Sequence, residues 1–88
     1  MSKPLVAIVM GSLSDLDAVK DTFEVLDSFQ IPYEAKVLSA HRTPDETIKY
    51  AKEAYDNGSK LVIAAAGGAA HLAGVIARCS TLPVIGIP

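Results

Sequence analysis

Eighty-eight residues, half of them apolar and a fifth charged, suffice for one small domain with a thin core and exclude a second. The net charge of −2 supplies no basic field, and no stretch interleaves Lys or Arg with aromatics, so nucleic acid is not an expected partner. Cys79 stands alone: it can form no internal disulfide and no Cys-x-x-Cys metal pair, which suits a reducing, cytoplasmic setting and a core-filling role.

Met1-Ser2-Lys3-Pro4 leads directly into a strand-like run, and no export signal is expected. Leu5 to Met10 is continuously apolar and β-branched, the pattern of a strand covered on both faces. Gly11 stops it. From Asp15 to Phe29, Leu16, Val19, Phe23, Leu26 and Phe29 recur every three or four residues with acids and lysines between them, which predicts an amphipathic helix. Pro32 bars its continuation, and Tyr33 to Ser39 reads as a second strand.

Thr43, Pro44 and Glu46 have the spacing of an N-cap, a first helical residue and the far side of a capping box. The helix they open should bury Ile48, Ala51, Ala54 and Tyr55 and end at Asn57-Gly58, where glycine accepts a left-handed backbone. Leu61 to Ala65 is a third buried strand. A helix from about Ala69 to Cys79 and a fourth strand from Pro83 to Ile87 complete the order. The apolar stretch Leu61 to Ala77 contains Gly67-Gly68 and His71 and is shorter than the roughly 20 residues a bilayer requires, so no membrane partner is expected.

Strands and helices in alternation imply one α/β domain over residues 1–88, with a parallel, doubly wound sheet and helices on both faces. The third helix has almost no polar face beyond His71 and Arg78, so it is expected to pack against another subunit. With no helix following the fourth strand, the domain reads as incomplete at its C-terminal side.

Each of the first three strands runs into a turn carrying chemistry, and parallel strands bring all three turns to one edge of the sheet. Ser12, Ser14 and Asp15 place hydroxyls and backbone N–H groups at a helix N-terminus, suited to an anion, although a plain helix cap explains Ser14 or Asp15 equally well. Ser39 precedes His41-Arg42, which pairs a group that titrates near neutrality with a planar fork matched to phosphate. Arg42 and the adjacent helix start both disfavour imidazolium, leaving His41 available as a base. Gly67-Gly68 lets main-chain N–H groups approach a carboxylate, or is only a tight turn; His71 reads more simply as a core or interface histidine. Two histidines without a third ligand do not make a zinc site, so no metal is expected.

Met10-Gly11-Ser12-Leu13-Ser14-Asp15, Ser39-Ala40-His41-Arg42-Thr43-Pro44 and Gly67-Gly68-Ala69-Ala70-His71-Leu72, in this order, resemble the three loops of the N5-carboxyaminoimidazole ribonucleotide mutase family, also called the catalytic subunit of phosphoribosylaminoimidazole carboxylase. Leu82 to Pro88 resembles the family's next strand. The resemblance implies a flavodoxin-like, three-layer αβα sandwich and a cofactor-free, metal-free reaction of purine biosynthesis. In it, the carboxylate on the exocyclic nitrogen of the ribonucleotide moves to ring carbon C4. It also implies His41 as proton shuttle, with Ser12, Ser14, Asp15, Ser39, Arg42, Gly67, Gly68 and His71 around the substrate, and a homo-octamer. Ala65, Ala73 and Leu16 depart from the Gly, Pro and frequent Trp of the family, and the chain has roughly half the family's length. Two other readings stay open: a carboxylase using free carbon dioxide, and a non-catalytic nucleotide-phosphate-binding module or inactive fragment.

Overall fold

A computed structural model describes residues 4–12, 15–38, 42–65 and 71–87. The elements are β1 (Val6–Met10), α1 (Leu16–Ser28), β2 (Tyr33–Val37), α2 (Pro44–Glu53), β3 (Leu61–Ala65), α3 (His71–Cys79) and β4 (Val84–Ile87). All strand pairings are parallel and the order is β2-β1-β3-β4, the opening of the flavodoxin-like order. The doubly wound α/β expectation therefore holds.

β1 lies inside the sheet and is buried at every residue, which is why its sequence is apolar without alternation. Val6, Ile8 and Met10 point to a layer with Val19 and Leu26 of α1, while Ala7 and Val9 point to a layer with Ala51 of α2 and Leu72 and Ile76 of α3. So α1 covers one face and α2 and α3 the other. The α1 side of β4 is left open: Ile85, level with Ile63, is 49% exposed, matching the incomplete cover anticipated from the sequence. On the opposite side α3 comes close to β4, and a Cβ on Gly86 would lie 3.2 Å from that of Ala73.

The helix faces need correction at their ends. Leu16 and Phe29, assigned to the buried stripe of α1, are exposed, Phe29 by 71%. Phe29 is the C-cap, where the helical turn that would carry it inward has already ended. In α2 the inward positions are Thr47, Tyr50, Ala51 and Ala54, with Ile48 only half-buried; Tyr55 lies beyond the helix and is 62% exposed.

Both helix exits reverse through the same hydrogen-bonded turn. After α2, Ser59 N–H donates to the Ala54 carbonyl and Gly58 N–H to that of Tyr55, each at 3.0 Å, with Gly58 at φ 99. After α1, Ile31 N–H donates to Leu26 at 2.9 Å and Gln30 N–H to Asp27 at 3.0 Å, with Gln30 at φ 57. A side chain in that left-handed region is disfavoured by about 1 kcal/mol or more. Gln30→Gly is therefore expected to stabilise the fold by about 0.5–1 kcal/mol, read as a higher urea midpoint at unchanged slope.

Tyr50 ties α2 to β2, its hydroxyl donating to Glu34 at 2.5 Å with the Lys36 ammonium 5.8 Å from the ring centre. Burial first, then the hydrogen bond to Glu34 and that carboxylate's charge, raises the phenol above its usual value of 10.0. A neutral form favoured by folding stabilises the protein fully below the unfolded value and is lost as pH climbs toward the folded one. Stability is expected to fall above about pH 10, and Tyr50→Phe should flatten that alkaline slope in denaturation curves measured from pH 8 to 11.

Candidate functional site

The carboxyl end of β1 sits between those of β2 and β3, with Met10 level with Val37 on one side and Ala65 on the other. Gly11 N–H donates to the Ala65 carbonyl at 2.9 Å, and Leu38 N–H donates to that of Met10 at 2.8 Å. The chain thus leaves three adjacent strands from one bonded row. α1 packs on one face of the sheet and α3 on the other, and in open α/β sheets such a switch of direction marks the crevice outside the strand ends where ligands bind.

In the first loop, Ser12 N–H donates to Asp15 Oδ2 at 3.0 Å, and Asp15 N–H returns a bond to the Ser12 carbonyl at 3.1 Å. Asp15 is the N-cap of α1, but it has helical angles, φ −81 and ψ −3, and its side chain makes no cap hydrogen bond. Asp15 thus holds the cap position without a side-chain cap bond, its carboxylate folding back to shape the loop, while Ser14, the other residue suited to capping, lies outside the described residues. The Asp15 carboxylate stays beside the positive end of α1, together with the half-buried Ser12.

The second loop brings the exposed Arg42 to the start of α2. Thr43 is the N-cap and Pro44 the first helical residue, as expected, but the Thr43 side chain makes no cap hydrogen bond, so that half of the capping box does not form. Thr43 has φ −132 and ψ 59, short of the ψ of about +120 to +160 usual before proline. Its carbonyl is instead drawn to Thr47, accepting from the N–H at 3.0 Å and from Oγ1 at 2.9 Å. Thr47 was not chosen from the sequence. The available signal was its position four residues after Thr43, the reach of a threonine hydroxyl back to a carbonyl.

Ser12, Asp15 and Arg42 therefore belong to loops rooted side by side on one edge. Ser14, Ser39, His41, Gly67 and Gly68 lie outside the described residues, and His71 is the first residue of α3. Two hollows of about 290 and 180 Å³ flank α2; their walls carry Lys49 and Glu53 with other charges of both signs and none of the candidate substrate-binding or catalytic residues. No helix among the described residues is long and apolar enough to cross a membrane.

Comparison with known proteins gives these loops a context. The N5-carboxyaminoimidazole ribonucleotide mutases of Pyrococcus horikoshii and Bacillus subtilis are 54% and 55% identical over 86 residues, covering 98% of this chain but 49% and 53% of their own lengths. The phosphoribosylaminoimidazole carboxylase of Schizosaccharomyces pombe is 51% identical over 88 residues, which are 16% of it. The crystal structure of Treponema denticola PurE superposes with a TM-score of 0.83 at 33% identity, covering 94% of this chain and 53% of that one. The chain spans about half the length of the mutases it matches. A family model described as AIR carboxylase matches residues 5–88, and the chain belongs to that family.

Proposed function

We propose that the protein acts in purine biosynthesis as a mutase, moving the carboxylate of N5-carboxyaminoimidazole ribonucleotide from the exocyclic nitrogen to C4. The observation that carries this reading is the common root of the loops bearing Asp15 and Arg42, in a chain of which 98% aligns with named mutases. Arg42 matches a 5′-phosphate through paired N–H donors, and Asp15 accepts from ribose hydroxyls, with Ser12 and Ser14 beside it. Gly67, Gly68 and Ser39 hold the migrating carboxylate, and His71 borders the same crevice.

His41 is the proton carrier. The anionic substrate offsets the charge of Arg42 and the helix start and lets His41 carry a proton, and as the N–C bond breaks and carbon dioxide leaves, its imidazolium protonates the exocyclic nitrogen. C4 then attacks carbon dioxide, and the neutral imidazole removes the C4 proton, which restores the starting state. No metal or cofactor enters this scheme.

The competing carboxylase reading is favoured by the name of the yeast relative and of the family model. Supplying each substrate separately decides between them. Conversion of the carboxyamino ribonucleotide without added bicarbonate is expected; turnover only from aminoimidazole ribonucleotide with carbon dioxide would reverse the assignment.

A homo-octamer in the cytoplasm completes the proposal. It is supported by the outer side of α3, where Gly74 and Ala77 are exposed and a Cβ on Gly74 would meet nothing within 4 Å, and by a lone half-buried Cys79 suited to a reducing compartment. Light scattering should return eight times the chain mass, and a monomer would contradict it.

A further inference from the structure

We propose that Thr47 is a positioning residue for the phosphate-binding loop: its hydroxyl fixes the Thr43 peptide and thereby the direction in which Arg42 leaves the chain. The inference rests on the functional reading of Arg42 given above and adds a residue that reading does not contain.

Thr47 is wholly buried, while the neighbours before it, Pro44, Asp45 and Glu46, are exposed. Burial on the α2 side of the sheet leaves its β-branched side chain little rotameric freedom, so the hydroxyl direction is set by the core and not by solvent. That hydroxyl donates to the Thr43 carbonyl at 2.9 Å, beside the Thr47 N–H bond at 3.0 Å to the same oxygen. One bond would leave the carbonyl free to tilt about the helix axis. Two donors from a single anchored residue restrain the plane of the Thr43–Pro44 peptide, and with it ψ of Thr43. Arg42 is the next residue toward the N-terminus and is exposed, so the path of the backbone beneath it helps set where the guanidinium can reach.

A threonine that only fills space would behave differently from one that aims a loop, and two substitutions separate the roles. Thr47→Val keeps the shape and removes the hydroxyl. Thr47→Ser keeps the hydroxyl and removes a buried methyl, and so weakens packing more. Positioning predicts opposite orders. By thermal unfolding of the full chain, the serine variant melts lower than the valine variant. By conversion of the carboxyamino ribonucleotide well below both melting temperatures, the valine variant loses about tenfold or more in kcat/KM, chiefly through KM, while the serine variant stays within about threefold of the parent.

Activity that follows the stability order, or a valine variant equal to the parent, overturns the proposal. Should the parent itself convert nothing, the functional reading fails separately. The clamp is then judged by NMR: the Thr43 amide and Arg42 side-chain resonances move in Thr47→Val and coincide with the parent in Thr47→Ser, and identical spectra for all three overturn it.

Discussion

His41→Asn is expected to lower turnover by about 10²–10⁴-fold while ribonucleotide affinity changes by less than about threefold. Asparagine retains a hydrogen-bonding end but can neither accept nor release a proton near neutral pH, so it keeps the contacts of the ground state and removes the transfer. The loss should appear in kcat with KM nearly constant, the pattern of an interaction that matters only as bonds are made and broken. Single-turnover measurements with the carboxyamino ribonucleotide, alongside calorimetric binding of aminoimidazole ribonucleotide, read the two quantities independently. Equal rates in parent and variant would remove His41 from the reaction.

Arg42→Ala is expected to act on the other side of that division. A guanidinium paired with a phosphate contributes charge-assisted bonds whose loss weakens binding by about 10–100-fold, and the effect should fall mostly on KM. Arg42→Lys tests geometry against charge. A lysine keeps the charge but not the planar fork, so it should recover only part of the affinity, and more of it at low ionic strength than in about 0.5 M salt. Titration calorimetry with the ribonucleotide and with its dephosphorylated nucleoside checks the assignment: Arg42→Ala should leave the weak nucleoside binding unchanged.

The elements whose character depends on short-range pattern were readable from the residues. β1 announced itself by being apolar throughout, because a strand in the middle of a parallel sheet is covered on both faces. Gly58 marked the end of the α2 turn because its left-handed angle is one that glycine takes easily. The same turn after α1 has Gln30 at that position, and no composition rule points to a glutamine there. Periodicity found Val19, Phe23 and Leu26 but also admitted Leu16 and Phe29, since a repeat of three and four residues carries no information about where the covered part of the sheet stops.

Long-range geometry was the harder part. Tyr50 and Glu34 are sixteen residues apart, and only the crossover from β2 to α2 brings them within bonding distance. At the site, the strand-to-turn junctions were enough to forecast that the loops of Asp15 and Arg42 share an edge, because parallel pairing leaves no other arrangement. How those loops are held was not forecast. The spacing of Thr43 and Glu46 suggested side-chain capping, whereas the Thr43 carbonyl, captured by Thr47, is what anchors the start of α2. Likewise, the carboxylate of Asp15 looked like a cap for α1 and instead closes the loop on the Ser12 amide.

An amide NMR titration of the full chain with aminoimidazole ribonucleotide tests directly whether a ribonucleotide lies across the carboxyl edge of the sheet. Saturable shifts at Ser12, Asp15, Arg42 and Thr43, with Leu5, Gln30 and Lys60 at the opposite edge unmoved, are the predicted result. Shifts centred on Leu5, Gln30 and Lys60, or none at millimolar ligand, would contradict it.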